Sequence, residues 1–217
     1  MNKPLQMPMF KPETEWVPPT NLPDLSDRKE IAIDLETRDP NLLTMGSGSV
    51  RGDGEVIGIA VAVEGWSGYF PINHEGGGNM DRALVLDWFE EVLHTDATKI
   101  FHNAMYDVSW IRSMGFQIRG GIIDTLIAAS LIDENRWGYA LNALGKEYVG
   151  IGKNEKILQE AAKEWGINPK SEMWRLPAPL VGEYAEQDAV VTLKLWHALQ
   201  HEISKQDLWD VFNLETN

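Results

Sequence analysis

Cysteine is absent from this 217-residue chain, which excludes disulfides and thiolate metal sites. No stretch approaches the roughly 18 consecutive apolar residues of a membrane-spanning helix. The first residues, Met-Asn-Lys-Pro-Leu-Gln-Met-Pro, lack the apolar core of a signal peptide. Together these absences fit a protein of the reducing cytoplasm, and we expect it there.

Basic residues are scarce, because 19 Lys and Arg stand against 33 Asp and Glu, for a net charge of −14. Such a balance argues against an extended electrostatic grip on duplex nucleic acid, which normally needs a basic face. It leaves room for a short contact in which bound metal ions offset local carboxylates. A phosphate-bearing partner would then be held by metal, backbone and a few side chains.

Proline is concentrated at the start of the chain, where residues 1–28 hold six of the eleven prolines. This composition is typical of an extended arm or a linker. We expect one globular domain over residues 29–206. A hydrophobic content of 43% is enough for a core in a domain of that size.

The hydrophobic pattern of the domain predicts an alternation of strands and helices. Strands are expected over 30–37, 56–63, 66–72, 98–101 and 122–123. Helices are expected over 81–94, 104–114, 124–132, 140–148, 153–164 and 180–205. Asp81 is the expected N-cap of the first helix, and Leu84, Trp88 and Val92 form its expected apolar stripe. The order of elements indicates an α/β protein, a mixed sheet with helices packed on it.

Two acids close the first predicted strand. The alternation of period two places Asp34 and Glu36 on one face, opposite Ile33 and Leu35. Their Cα atoms are then roughly 6.6 Å apart. Two carboxylates held this way repel each other unless a cation lies between them, and a divalent ion with oxygen ligands is the simplest one.

The Asp-x-Glu pattern alone carries little information, since about 1.2 copies are expected by chance in this composition. A second copy does occur, Asp53-Gly54-Glu55, within the glycine-rich stretch 45–54. Such a stretch cannot hold carboxylates rigidly, so we interpret this copy as a surface loop.

Two further acidic motifs follow along the chain. Asn103 and Asp107 are four residues apart on a predicted helix, as are Tyr184 and Asp188 on the last one, so each pair shares a helix face. One strand and two helices therefore each present an acid. About 0.01 to 0.02 copies of the three motifs together are expected by chance.

In this order, Asp-x-Glu, Asn-x-x-Tyr-Asp and Tyr-x-x-x-Asp resemble the signature of the DEDDy subgroup of 3′–5′ exonucleases. The chain looks most like the proofreading domain of family A DNA polymerases, especially those of phages. The resemblance runs from about Ile31 to Leu195. It implies a ribonuclease H-like fold and two divalent cations, Mg²⁺ or Mn²⁺.

By this resemblance Asp34, Glu36 and Asp188 hold the first ion. Asp34 also bridges to the second ion, which Asp107 supports largely through water. Tyr184 orients the attacking hydroxide. Because tyrosine has a pKa of about 10, orientation is favoured over general-base work.

Three residues match family positions that touch the terminal nucleotide: Thr37, Asn103 and Tyr106. Asp124 either supports the site without binding metal or is a simple helix N-cap. The expected partner is a single-stranded or frayed DNA 3′ end. Residues 207–217 resemble the start of a connection to a polymerase domain, which implies a monomeric domain of a longer phage or bacterial protein. From the −14 charge, we expect weak, distributive activity.

Two alternatives remain open at this point. An exoribonuclease of the ribonuclease D type uses the same four acids, and contact with the 2′-OH would separate the two. A non-catalytic module that binds 3′ ends or braces a polymerase is disfavoured by the intact acids. His197 and His201 have the spacing of a zinc site, but no third ligand is evident, so we expect exposed helix residues.

Overall fold

A five-stranded mixed sheet forms the centre of the protein. The computed structural model describes residues 14–152 and 154–216, so much of the predicted arm lies outside the described residues. The strands are β1 Glu30–Arg38, β2 Glu55–Val63, β3 Trp66–Pro71, β4 Thr98–Phe101 and β5 Ile122–Asp124. Their order is β3-β2-β1-β4-β5. Strands β1, β2 and β3 pair antiparallel, whereas β4 pairs parallel to both β1 and β5.

Helices cover both faces of this sheet. The α-helices of the described ranges are α1 Leu42–Met45, α2 Gly48–Arg51, α3 Arg82–Leu93, α4 Ala104–Ser113, α5 Thr125–Ile132, α6 Leu141–Leu144, α7 Lys156–Trp165, α8 Gly182–Lys205 and α9 Trp209–Thr216. The predicted α/β class and mixed sheet are confirmed. In the part of the chain that the structure describes, no helix is both long enough and apolar enough to cross a bilayer.

The alternation along β1 divides the core into two layers. Ile33 and Leu35 pack with α3 and α4 in one layer. Ala32, on the opposite face, packs with α5 and α8 in the other layer. The predicted alternation is therefore confirmed, and the acids of β1 lie on the face that α8 covers.

Helix α3 confirms one prediction and corrects another. Asp81 is its N-cap, because its side chain accepts the backbone N–H groups of Ala83 and Leu84. The predicted stripe is wrong at Leu84, which is 60% exposed. The buried face instead consists of Val85, Trp88, Phe89, Val92 and Leu93. It lies slightly further round the helix because the sheet contacts this helix from that side.

Other element predictions need correction as well. The stretch 45–54 contains the short helix α2 rather than loop alone. The predicted helix over 140–148 is α-helical only in α6, after which Gly145–Val149 is π-helical. The last long helix begins at Gly182 instead of Leu180, since a 3₁₀ turn Ala178–Leu180 precedes it. Helix α9 is not predicted from the sequence.

The segment before β1 packs on the domain although it forms no helix or strand. Leu25 is buried in the layer of α3. The indole N–H of Trp88 donates to the carbonyl oxygen of Pro23 at 2.8 Å. Trp16 packs against the layer of α8. Residues 14–25 are thus fastened to the sheet and its helices at several points.

Candidate active site

The acids of β1 face small neighbours on the adjacent strand. Asp34 pairs with Ala60 and Glu36 with Gly58, so no large side chain on β2 fills the space beside them. The pairing register shifts between Glu36 and Thr37, where β2 carries one extra residue. Bulges of this kind twist a strand locally and re-aim its side chains, and this one lies immediately after the second acid.

Helix α8 brings a third acid to the strand. Asp188 is buried at 5% exposure, and one oxygen each of Asp34, Glu36 and Asp188 lies within 4.8 Å of the others. Asp34 and Asp188 are 154 positions apart along the chain, so only the fold brings them together. Three carboxylates at this separation form a donor set suited to a hard divalent cation, which prefers oxygen ligands.

Asp107 approaches the same strand from α4 but lies outside that group of three. It is 4% exposed, and its Oδ1 accepts the backbone N–H of Leu35 at 3.0 Å. Burial, followed by the charge of Asp34, raises the pKa of Asp107 well above its ordinary value. A nearby cation would favour the charged form and oppose this rise in pKa, so the position also fits a carboxylate linked to a metal ion.

Asp124 fixes the start of α4. Its two carboxylate oxygens accept the backbone N–H groups of Asn103 at 2.9 Å and Ala104 at 2.8 Å. The same side chain caps α5 through the N–H of Leu126 at 2.9 Å. Asp124 is thus both the predicted N-cap and the anchor of the helix that carries Asp107.

The residues predicted to touch a nucleotide gather beside the acids. The hydroxyl groups of Thr37 and Tyr106 are 2.7 Å apart, and the Tyr106 hydroxyl also donates to Asp39 at 3.3 Å. Asn103 has a left-handed backbone with a φ of 69° at the N-cap of α4, and its side chain is exposed. Asparagine tolerates this conformation better than most residues, which suits it to a tight strand-to-helix turn.

Tyr184 lies one turn before Asp188 on α8 and is half-buried. Burial is the largest cause that raises the pKa of its hydroxyl far above the ordinary value, and the charges of Glu36, Asp188 and Asp34 add to it. The hydroxyl therefore keeps its proton at neutral pH. Because those three charges contribute to the shift, the hydroxyl lies in the vicinity of the carboxylate group.

Comparison with known proteins decides the family. The profile of the 3′–5′ exonuclease domain of family A DNA polymerases matches residues 21–204. The chain belongs to this 3′–5′ exonuclease family. The resemblance inferred from the three motifs is thereby confirmed, and the chain is an exonuclease domain.

Individual relatives agree with that assignment. A DNA-directed DNA polymerase of Pseudomonas phage M6 is 38% identical over 98% of this chain and 33% of its own length. DNA polymerase DpoZ of Salmonella phage PMBT28 is 30% identical over 89% of this chain and 30% of its own. The exonuclease chain thus spans about a third of the length of each of these two curated relatives.

Solved structures support the ribonuclease H-like fold. Brucella melitensis NrnC with bound Mg²⁺ superposes with a TM-score of 0.59 at 19% identity, over 89% of this chain and 82% of that one. Identity at this level bears on the fold alone. The predicted ribonuclease H-like architecture of the exonuclease is confirmed.

A buried polar pair beside the acids escaped prediction. The Tyr69 ring lies over the backbone of Gly58, where a Cβ would come within 2.0 Å of the Tyr69 hydroxyl. That hydroxyl is 2.6 Å from Nε2 of His74, whose Nδ1 is 3.1 Å from the carbonyl oxygen of Leu176. Since a carbonyl only accepts, Nδ1 carries the proton and Tyr69 donates to Nε2. The available signal was Gly58 itself, because a glycine inside a strand often marks a close approach.

The second Asp-x-Glu copy of the exonuclease has a different role. Asp53 pairs with Arg51 at 2.7 Å and accepts a hydrogen bond from Asn41 at 2.9 Å. Glu55 pairs with Arg38 at 3.0 Å. Among the described residues, neither belongs to the carboxylate group suited to a metal ion. The predicted surface loop is correct for exposed Asp53 but wrong for Glu55, which is the first residue of β2.

The two histidines of α8 lie on its exposed side. His197 lies 2.7 Å from Glu30, and both side chains are partly exposed. His201 is exposed. Both histidines are exposed on α8, as expected.

Proposed function

We propose that this exonuclease removes single nucleotides from a DNA 3′ end by metal-dependent hydrolysis, as a proofreading domain does. The observation that carries the proposal is the meeting of Asp34, Glu36 and Asp188 within 4.8 Å. Carboxylates this close together repel one another and destabilise the folded protein unless a cation lies among them. Asp107 of α4 accepts a hydrogen bond from Leu35 of β1 and adds a fourth carboxylate beside this group.

Four acids of the site would hold the ions. Asp34, Glu36 and Asp188 would ligate one Mg²⁺ or Mn²⁺, and Asp34 with Asp107 would support a second. When bound, such a pair of ions supplies Lewis-acid stabilisation of the attacking and leaving oxygens. The donor set fits, because all four residues offer carboxylate oxygen and none is a soft ligand.

The remaining residues of the site would position the reactants. The Tyr184 hydroxyl, which stays protonated, would orient the attacking water through a hydrogen bond rather than remove its proton. Thr37 and Tyr106 would contact the terminal nucleotide with their joined hydroxyl groups, and exposed Asn103 would do so from the start of α4. Hydrolysis then forms a phosphorus–oxygen bond to water, breaks the bond to the 3′ oxygen, and releases a nucleoside 5′-monophosphate.

The preference for DNA over RNA is supported by the relatives that this chain matches. Those from Pseudomonas phage M6 and Salmonella phage PMBT28 are named DNA polymerases and are about three times as long as the aligned part. We infer that the parent protein continues from about residue 207 into a polymerase domain. A cleft that also accepts the 2′-OH would instead favour the ribonuclease alternative.

Digestion of matched strands tests this function. DNA and RNA oligonucleotides of one sequence, labelled at the 5′ end, are incubated with the domain and Mn²⁺ or Mg²⁺. The expected product is a one-nucleotide ladder that grows distributively and forms faster on DNA. Equal or faster digestion of RNA would move the assignment to an exoribonuclease, and products cut only at internal sites would end it.

The two Asp-x-Glu copies provide a matched control for the site. Asp34→Asn should lower the rate by more than about 100-fold, since it removes a metal ligand rather than a residue around one. Asp53→Asn changes the same residue type in the second copy and should leave the rate within about twofold. Equal effects of the two substitutions would contradict the assigned site.

A further inference from the structure

Trp16 lies in the predicted arm but reaches the first turn of α8. Its indole ring occupies the space in which a side chain on Gly182 would stand, because a Cβ there would come within 2.3 Å of two ring atoms. Gly182 does not have a positive φ, so its backbone conformation does not demand glycine. The ring, and not the backbone, therefore explains why glycine occurs at the first residue of this helix.

Glu186, one turn further along α8, accepts hydrogen bonds from two other segments of the chain. Its Oε2 accepts the indole N–H of Trp16 at 3.0 Å, and its Oε1 accepts the hydroxyl of Ser67 on β3 at 2.5 Å. The Trp16 ring also lies 6.0 Å, centroid to centroid, from the ring of Tyr69 on β3. The segment, the strand and the helix therefore meet at one carboxylate.

The contacts of Trp16 lie on the flank of α8 opposite its active-site residues. Gly182 and Glu186 are one turn apart on one flank, and Tyr184 and Asp188 are one turn apart on the other. At 100° per residue the two flanks are separated by roughly 200°. Trp16 thus contacts one flank of α8 at the turn whose other flank carries Tyr184 and Asp188.

From this geometry we infer that Trp16 is a positioning residue of the exonuclease. It fixes the rotation and depth of the first turns of α8, and thereby the distance of Asp188 from Asp34 and Glu36. The inference rests on the proposed metal-dependent function of that carboxylate group. It assigns a role in the site to a residue 168 positions before Tyr184, outside the sheet and helices.

Direct Mn²⁺ binding, measured by electron paramagnetic resonance on the full chain, tests this role together with kinetics. Trp16→Ala should weaken Mn²⁺ binding and lower kcat by about tenfold each, the size seen when a residue around a metal ligand is lost. The KM for a short DNA strand should stay within about twofold. Trp16→Phe keeps an aromatic ring, although a smaller one, and lacks the N–H, so it should give an intermediate loss.

A double-mutant cycle makes the test specific. Gly182→Ala alone should impair Mn²⁺ binding because its methyl group displaces the ring. In a Trp16→Ala background the same change should add no loss, since no ring remains to be displaced. Additive losses would show that Gly182 acts independently of Trp16 and would overturn the inference.

Trp137 serves as the matched control, because it is fully exposed and Trp137→Ala removes an equal side chain. It should change neither Mn²⁺ binding nor kcat. A folded Trp16→Ala protein with wild-type Mn²⁺ binding and kcat would overturn the inference. If that variant does not fold, Trp16→Phe decides in the same way, because it removes the hydrogen bond to Glu186. A wild-type chain that cleaves no strand would end the proposed function alone, since Mn²⁺ binding still reports on Trp16.

Discussion

The carboxylate of Asp107 accepts the backbone N–H of Leu35 at 3.0 Å, a contact that joins α4 to β1 between the two acids of the strand. The bond fixes a fourth carboxylate beside Asp34 although Asp34 disfavours its charge. The protein therefore holds an unfavourable arrangement of charge in place by backbone geometry. Bound cations would offset this repulsion between the carboxylates.

Divalent cations should stabilise the folded domain. Ions that bind only the folded state add about 2.7 kcal/mol at a concentration of 100 times their Kd, a rise in Tm of roughly 5–10 °C for a domain of this size. Asp107→Asn keeps an oxygen for Leu35 and removes the repulsion with Asp34. It should therefore raise the Tm in EDTA and reduce the gain from Mn²⁺. Thermal unfolding with and without Mn²⁺ checks this, and an unchanged wild-type Tm would contradict it.

Removing the hydroxyl of Tyr184 should slow the reaction without changing its pH dependence. Tyr184→Phe is expected to lower kcat by roughly 10- to 100-fold, somewhat less than the loss of a general base. Because burial and three carboxylates raise the pKa of Tyr184, its proton stays in place across the working range. Rate profiles from about pH 6 to 9.5 should then have one shape in both proteins. An alkaline limb found only in the wild type would contradict orientation as its role. Tyr139→Phe, which removes a hydroxyl bonded to the Asp133 carbonyl, is the control.

Loss of Asp124 should damage stability and activity together. Asp124→Ala leaves three backbone N–H groups without their acceptor, so the free energy of unfolding should fall by about 2–4 kcal/mol in urea titrations. At urea concentrations below the unfolding transition, activity should also be lower than in the wild type, because the start of α4 is no longer anchored. Asp81→Ala is the matched control, since it removes an exposed N-cap from α3 and should cost about 1 kcal/mol with no loss of activity. Equal effects of both substitutions would contradict the double anchoring.

Acid should destabilise the protein through His74. Burial lowers the pKa of His74 from 6.5 to about 4, so the unfolded chain takes up this proton before the folded protein does. The contribution of neutral His74 to the free energy of unfolding is therefore fully present above about pH 6.5. It is lost as the pH falls towards 4, by about 3 kcal/mol in all. His74→Gln should lose correspondingly less between pH 7 and 4 in denaturant titrations. His201→Gln, at an exposed position, should follow the wild type, and parallel curves for all three proteins would contradict the prediction.

Local periodicity was enough to find the parts of the site. The alternation along β1 and the spacing of four on α4 and α8 are properties of single elements, so Asp34, Glu36, Asp107 and Asp188 could be placed on faces from sequence alone. That these faces converge was inferred from the order of the motifs and the family resemblance. The fold places three of the acids within 4.8 Å of one another.

What sequence could not supply depends on long-range packing. The stripes through Leu84 and through Val85 both include Trp88, and only the position of the sheet decides which edge of α3 is buried. Tyr69 reaches Gly58 because of the pairing of β2 with β3. Trp16 has no local pattern at all, and its contact with Glu186 spans 170 positions.

The alternation along β1 also makes the strand sensitive to any change in its length. Side chains on one face of the strand include the carboxylates suited to a metal ion. Those on the other face belong to the hydrophobic core between the sheet and the helices α3 and α4. A single residue inserted between Ile31 and Ile33 would exchange the two sets from that point on. It would place Leu35 where the carboxylates stand and bury Asp34 and Glu36 against α3 and α4. Substitutions in this strand can be graded in effect, whereas a one-residue change in its length would remove fold and chemistry in one step.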